Sequence, residues 1–119
     1  MRNISFMITP NQILAETKTV TRRMGWRNLK PGVLLQGVRK SQGLRKGEKI
    51  ERLKVIRVES VRIEPLSYIT HDELILEGFP DMTVSEFINM FCNSHKGATI
   101  DSEVTRIEFS YANDTDRLF

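Results

Sequence analysis

The sequence predicts a single α+β domain in which three short helices lie at the openings of a small, curved or closed β-barrel. Three observations support this prediction. The chain has 119 residues, enough for one hydrophobic core and too few for two. Residues 50–65 are rich in β-branched side chains, and their apolar positions change parity, which indicates the bent strand that closes a small barrel. Capping-box patterns at Thr9, Thr70 and Thr83 each mark the start of a helix.

The N-terminal part of the chain predicts a strand, a short helix and a loop. Apolar residues at positions 4, 6 and 8 share one face of an extended chain, because side chains alternate along a strand. Thr9 supplies a hydroxyl cap and proline follows in the first helical position, so we expect a helix over residues 10–16. This helix leads into residues 18–23 (KTVTRR), predicted as a loop with an extended or turning backbone.

The remaining elements follow from periodicity and from turn residues. The second helix should end at Gly78, since glycine is the usual residue just past a helix end, and the third has one apolar face. We therefore predict a strand over residues 33–38, a basic loop over 39–49, the bent strand over 50–65, helices over 71–77 and 84–91, and a strand over 105–111. The domain is expected to occupy residues 1–112, and residues 113–119 to form a flexible tail.

Composition excludes several classes of protein. No apolar run is long enough to span a bilayer, and the N-terminus has no signal-peptide pattern, so we expect a cytoplasmic protein that does not bind membranes. Cys92 is the only cysteine, which excludes an intramolecular disulfide, and two histidines are too few to complete a closed zinc site. We expect no metal and no cofactor. Cys92 lies in an apolar stripe and is predicted to be a small buried side chain rather than a reactive thiol.

Charge is distributed unevenly along the chain. Residues 1–54 contain 13 lysines and arginines against three glutamates, a net charge of +10. Residues 55–119 contain five basic and 12 acidic side chains, a net charge of −7. Two interpretations are open: the halves face each other through salt bridges, or the basic half forms a surface that receives phosphates.

Two further features also have alternative interpretations. Trp26 lies between basic residues and either stacks on a nucleobase or packs against the end of the barrel, the second being favoured. The basic loop, which begins at Arg39 and Lys40, is either a solvated surface loop or part of a nucleic-acid interface.

Residues 18–23 place an amine, two hydroxyls and two guanidinium groups close together. A lysine that is partly desolvated beside arginines loses preference for its charged form, and its neutral amine can take a proton from Thr21 or from water. Glu77 is the third candidate. Its position at the negative end of a predicted helix is unfavourable, so it has either a cationic partner or a functional role; a partner is the simpler explanation, and Lys18 or Arg23 would serve.

Four segments in order resemble the ASCH (activating signal cointegrator homology) domain family. They are Lys18-x-x-Thr21-x-Arg23 after a short helix, Pro31-Gly32 before a strand, Glu77-Gly78-Phe79 before a helix, and Arg106-Ile107-Glu108-Phe109 in the last strand. The resemblance reaches to about residue 111, and it is strongest to small phage-borne or prophage-borne members. It implies a PUA-like barrel, the fold shared with PUA RNA-binding domains.

The resemblance implies a cleft that binds RNA, a nucleoside or a nucleotide. One branch of the family removes the acetyl group from N4-acetylcytidine, and its catalytic lysine, threonine and glutamate fall on Lys18, Thr21 and Glu77; another branch is described as ribonucleases. The sequence departs from the family at Glu16, where glycine is usual, and we expect that carboxylate to pair with Lys18.

Three functions therefore remain open: RNA or nucleotide binding as the leading one, amide or RNA hydrolysis, and binding of a host protein through the basic surface. The sequence does not predict the oligomeric state. The residues predicted to contact RNA or substrate are Lys18, Thr19, Thr21, Arg22, Arg23, Trp26, Arg39 and Lys40, of which Lys18 and Thr21 would act with Glu77 if the protein is an enzyme.

Overall fold

A computed structural model of the protein describes residues 1–113, so the predicted tail lies outside the described residues from position 114 onward. The order of elements is strand, helix, two strands, a long strand, two helices and a strand. They are β1 (Arg2–Ser5), α1 (Pro10–Leu14), β2 (Val20–Arg23), β3 (Leu34–Val38), β4 (Arg52–Pro65), α2 (His71–Glu77), α3 (Val84–Ser94) and β5 (Glu103–Tyr111), with a single 3₁₀ turn at Leu66–Tyr68.

The five strands form one curled, mixed sheet that makes a half-barrel. The strand order is β1-β3-β4-β5-β2; β1 and β3 are parallel, and every other neighbouring pair is antiparallel. With three helices against this sheet, the predicted α+β class and the small PUA-like barrel are confirmed.

The bend predicted in the long strand is present in β4. Its register with β5 shifts between Val58 and Ser60, as expected when one extra residue is inserted into one strand of an antiparallel pair. The parity change in the sequence therefore marks a real bulge. Because a bulge increases local twist, β4 can pair with β3 along its first half and with β5 along the rest.

Strand β2 is an element that the sequence analysis missed. Residues 20–23, predicted as a loop, pair with residues 105–108 of β5 and form an edge of the sheet. The strand has only four residues, two of which are arginines, and this composition hides the period of two. Buried Arg22 is tolerated because acidic side chains of α2 pair with it, as described below.

Helix α1 begins at Pro10 as predicted, but its cap and its C-terminal end differ from the prediction. Thr9 does not cap it through its side chain, and Gln12, the expected capping partner, instead donates a hydrogen bond to the carbonyl of Gly78 at 3.1 Å. The helix ends at Leu14 rather than near Glu16. The first strand is also shorter than predicted. It ends at Ser5, and Ile8, expected on its apolar face, is 59% exposed.

Helices α2 and α3 begin as predicted. The Thr70 hydroxyl accepts a hydrogen bond from the backbone of Glu73, and Thr83 forms a reciprocal capping box with Glu86. Gly78 ends α2 with a φ of +94°, a conformation that favours glycine. Helix α3 extends beyond the predicted residue 91 to Ser94.

The buried side chains form two hydrophobic clusters. The first, inside the curled sheet, is centred on Ile4, Phe6, Ile56 and Phe109. The second joins α2 and α3 to the end of β4 and the start of β5. Cys92 is half-buried against this second cluster, in line with its predicted packing role. None of the helices within residues 1–113 is long and apolar enough to cross a membrane.

Candidate functional site

A cavity of about 220 Å³ lies between the two hydrophobic clusters. Its polar part comes from the segment entering and forming β2 and from the last residue of α2. Its apolar part comes from the segment after β1, the residue after Gly78, and one face of α3. The lining residues that carry charge are Lys18, Arg22, Arg23 and Glu77, and the aromatic ones are Phe6, Phe79, Phe87, Phe91 and His95.

Lys18 and Glu77 form a buried ion pair in the cavity wall. The Lys18 Nζ lies 2.9 Å from Glu77 Oε1 and also donates to the Glu77 backbone carbonyl at 2.6 Å. The amine thus satisfies an otherwise free carbonyl at the end of α2, where a positive charge is favourable. Burial lowers the pKa of Lys18, and the Glu77 carboxylate opposes this shift. The prediction that Glu77 needs a cationic partner is explained by this contact.

Lys18 was one of the two partners proposed for Glu77, and Glu77 also has a second cationic partner, Arg22, which the sequence did not indicate. Arg22 Nη1 donates to Glu77 Oε2 at 3.0 Å, and its Nη2 donates to Glu73 Oε1 at 2.7 Å. Glu73 in turn binds Arg106 of β5 through both oxygens. Glu73 and Glu77 are four residues apart on one face of α2, where two negative charges repel each other. Arg22 and Arg106 offset this repulsion by pairing with the two carboxylates.

The same contacts bear on the charge asymmetry of the sequence. Lys18 and Arg22 belong to the basic half of the chain, and Glu73 and Glu77 belong to the acidic half. The two halves therefore face each other across the β2–α2 contact, which was one of the two interpretations. Other cations of the basic half, such as Arg45 and Lys46, remain exposed at the surface.

The Glu73 network predicts a dependence of stability on pH. Hydrogen bonds from Arg106, supported by Arg22, lower the pKa of Glu73 to about 2. Because the folded pKa lies below the unfolded value of about 4.3, the stabilisation is complete above roughly pH 5 and is lost as pH falls towards 2. Urea unfolding at pH 7, 4 and 2.5 should show that the free energy of unfolding falls more steeply with decreasing pH for the wild type than for Glu73→Gln.

A matched control for this prediction is Glu103→Gln, which removes a carboxylate that is 63% exposed. This variant should lose stability with acid as steeply as the wild type, because an exposed ion pair contributes little to the free energy of unfolding. If the free energy of unfolding depends on pH equally in the wild type and in Glu73→Gln, ionised Glu73 does not stabilise the fold as predicted.

Thr21 and Arg23 point into the cavity together. Arg23 Nε donates to Thr21 Oγ1 at 3.0 Å, and the Arg23 guanidinium lies 4.9 Å from the centre of the Phe6 ring. Burial lowers the pKa of Arg23 to about 10, with Glu77 opposing, so the group is charged at neutral pH. Within residues 1–113, the Arg23 terminal NH₂ groups and the Thr21 hydroxyl proton have no acceptor.

Two solved structures resemble the fold of this protein. The crystal structure of an ASCH domain from Lactobacillus crispatus superposes with a TM-score of 0.64 at 15% identity and covers 92% of this chain and 78% of that one. Protein EF3133 of Enterococcus faecalis, from the DUF984 family, superposes with a TM-score of 0.58 at 15% identity over 87% of this chain. This chain spans 66% of the length of the Enterococcus protein. No protein-family model and no curated protein matches the sequence.

The chain has an ASCH-like fold. Within that fold, Lys18, Thr21, Arg22, Arg23 and Glu77 all line one cavity. Lys18 and Glu77 are 59 residues apart in the chain, so their contact depends on the packing of α2 against β2.

The expectation for Glu16 is wrong. Its carboxylate lies 3.3 Å from the Lys54 amine, and Lys18 pairs with Glu77 instead. Glu16 has a φ of +59°, which places it in the left-handed region that favours glycine. Glu16 adopts this conformation in the turn after α1, and its carboxylate pairs with Lys54 rather than with the Lys18 amine.

The other predicted contact residues lie outside the cavity. Thr19 is held by backbone hydrogen bonds to Leu76 and Phe109. Trp26 packs against the first hydrophobic cluster and carries the Arg2 guanidinium 4.1 Å from its ring centre, which agrees with the core-packing alternative. Arg39 and Lys40 are paired with Glu51 and Glu48, at 2.6 and 3.1 Å.

Sequence reasoning missed the apolar half of the site. The missed lining residues are Ser5, Phe6, Met7, Ile8, Thr9, Phe79, Phe87, Met90, Phe91, Ser94 and His95. The apolar face of α3 gave a signal, but its period assigned that face to the core and could not show that it also borders a cavity. Within residues 1–113, no group of three acidic, histidine or cysteine side chains is placed to hold a metal ion.

Proposed function

We propose that the protein binds a nucleoside, or one unpaired nucleotide of an RNA, in this cavity. The observation that carries the proposal is the combination of aromatic walls with a buried polar floor in a volume of about 220 Å³. Pockets for drug-sized ligands occupy roughly 300–1,000 Å³, so this one suits a single base better than a longer ligand. Recognition of RNA sequence generally uses unstacked bases between aromatic side chains and hydrogen-bond donors.

Arg23 is the residue we propose for recognition of the ligand. Its guanidinium is fixed by Thr21 on one side and by the Phe6 ring on the other, while its terminal NH₂ groups have no acceptor among residues 1–113. A fixed fork of donors suits a base carbonyl or a phosphate oxygen. Lys18 and Arg22 are less available, because Glu77 and Glu73 already accept their hydrogen bonds.

The test is calorimetric titration with the four common ribonucleosides and N4-acetylcytidine. Arg23→Lys keeps the charge but removes the fork, and should weaken binding roughly 10- to 100-fold, the value of a hydrogen bond to a charged group of about 1.5–3 kcal/mol. Arg27→Lys is the matched control, because Arg27 is 56% exposed and does not line the cavity. No saturable binding by the wild type, or equal affinity for Arg23→Lys, would contradict the proposal.

Amide hydrolysis is a second candidate, favoured by one specific observation. Lys18, Glu77 and Thr21 line the same cavity, and the Thr21 oxygen accepts from Arg23 while its proton has no acceptor within residues 1–113. In this mechanism the Lys18 ammonium first passes a proton to the Glu77 carboxylate 2.9 Å away, and the neutral amine then takes the proton of Thr21, whose oxygen attacks the acyl carbon. Glu77 passes a proton to the departing amine, and water then releases the acid. Chromatographic detection of cytidine released from N4-acetylcytidine tests it.

A further inference from the structure

The loop between β3 and β4, residues 39–51, presents a group of unneutralised cations at the protein surface. Within residues 1–113, the side chains of four exposed cations here have no carboxylate partner. They are Arg45, Lys46, Lys49 and Arg52, the last being the first residue of β4. Arg45, Lys46 and Lys49 belong to the basic loop considered from the sequence, whereas Arg39 and Lys40, its two residues named as contacts, are neutralised by ion pairs.

Both glutamates of the loop are used to hold it in place. Glu51 accepts from the Arg39 guanidinium at 2.6 Å, and its backbone carbonyl accepts from the Arg39 N–H at 2.9 Å. Glu48 lies 3.1 Å from the Lys40 amine and also accepts from the backbone N–H of Arg45 at 2.9 Å. These contacts fix the base and the middle of the loop. Because both glutamates are engaged in them, neither forms an ion pair with the four remaining cations.

A tight turn presents two of these cations at the tip of the loop. The backbone N–H of Glu48 donates to the Arg45 carbonyl at 2.9 Å, which closes a four-residue turn over positions 45–48. Gly47, the third residue, has a φ of +83°, the value that a type II turn requires at this position. Arg45 and Lys46 are exposed on this turn, so the turn fixes the positions from which their side chains leave the backbone.

The loop begins beside the cavity. The backbone N–H of Phe6 donates to the Val38 carbonyl at 2.8 Å, and the Ser5 hydroxyl donates to the Arg39 carbonyl at 3.2 Å. Ser5 and Phe6 both line the cavity. A chain of nucleotides that leaves the cavity past this wall would therefore meet the base of the loop first and its cations next.

We infer that residues 45–52 bind the phosphate backbone of a single-stranded RNA while one of its unpaired nucleotides occupies the cavity. The inference rests on the proposed function and specifies its ligand as a polymer rather than a free nucleoside. Repeated phosphates match a row of cations, and each contact releases counterions. The loop contains no aromatic residue, the type that dominates protein–protein hot spots, which favours RNA over an acidic protein as the partner.

The experiment compares a single-stranded RNA of about nine nucleotides, within the range of roughly 4–16 that one small barrel covers, with the free nucleoside that binds best. Four phosphate contacts give a salt slope of about −2.8, so RNA affinity should fall roughly 50-fold from 50 to 200 mM salt. Lys46→Gln/Lys49→Gln should reduce this loss to roughly 7-fold, because each contact contributes about 0.7 to the slope. Affinity for the free nucleoside should not change.

Lys46→Gln and Lys30→Gln form a matched pair of single variants. Lys30 is also exposed but lies in the loop before β3. Lys46→Gln should reduce the salt slope by about 0.7, and Lys30→Gln should leave it unchanged. An RNA slope that Lys46→Gln/Lys49→Gln leaves intact would overturn the inference while the cavity proposal stands. Equal binding of polyglutamate would overturn it in favour of an acidic protein, whereas failure of every nucleoside to bind would overturn the cavity proposal itself.

Discussion

Glu77→Gln is expected to lower the free energy of unfolding by about 3–5 kcal/mol, the cost of removing one partner from a buried ion pair. Glu77 is 2% exposed, and it neutralises two cations, Lys18 and Arg22, that are equally buried. Glutamine keeps the shape and part of the hydrogen bonding, but it leaves two positive charges without a counter-charge. For a domain of this size, the midpoint of thermal unfolding should fall by roughly 10–25 °C.

Urea denaturation followed by circular dichroism measures this effect, and two further variants sharpen it. Glu103→Gln removes an exposed carboxylate 3.7 Å from Arg27 and should cost less than about 1 kcal/mol. Adding Lys18→Met to Glu77→Gln should recover part of the lost stability, because it removes one of the two uncompensated charges. A loss below about 1 kcal/mol for Glu77→Gln, or no recovery in the double variant, would contradict the proposed electrostatic role.

Thr21→Ala is expected to reduce turnover of N4-acetylcytidine by about 10²–10⁴-fold if the second candidate function is correct, since this is the usual contribution of a nucleophile activated by a positioned base. Lys18→Met should cause a similar loss. Because the two residues act as a unit, the double variant should be scarcely slower than either single one. Turnover is measured as the release of cytidine, and circular dichroism confirms that each variant is folded.

Thr19→Ala is the matched control for this series. Thr19 lies two residues from Thr21, but its side chain does not line the cavity, so the variant should keep wild-type turnover. Absence of turnover in the wild type would remove hydrolysis and leave the binding proposal in place. Turnover by Thr21→Ala above about a tenth of the wild-type rate would show that Thr21 is not the nucleophile.

The accuracy of the sequence predictions followed the range of the interactions involved. The starts of α2 and α3 were correct because Thr70 and Thr83 bond to backbone groups only three residues away. The capping pattern at Thr9 was misleading, because Gln12 finds a better partner in Gly78, 66 residues along the chain. Strand β2 was missed for the same reason: its pairing with β5 cannot be seen in four residues with two arginines.

The site shows the same division. The resemblance to ASCH domains singled out Lys18, Thr21 and Glu77, and the structure places all three around one cavity. Of the two alternatives for the partner of Glu77, Lys18 is the one present, and Arg22 is a second partner that the sequence did not indicate. Alternation along β2 directs Arg22 towards α2 and Arg23 into the cavity with Thr21, and only the docking of α2 shows which of the two sides carries the carboxylates.

The sequence by itself determined the fold class, the bulge in β4, the starts of α2 and α3, and the residues that can carry chemistry. These properties depend on side-chain chemistry and on neighbours within one or two turns of chain. Only the tertiary structure decided which cations are neutralised and which stay free. Arg39, Lys40 and Arg22 are paired with carboxylates, whereas the cations at the tip of the 39–51 loop form no ion pair within residues 1–113. The physical reason is that a charge acts over a few ångströms in space, and the chain order does not record those distances.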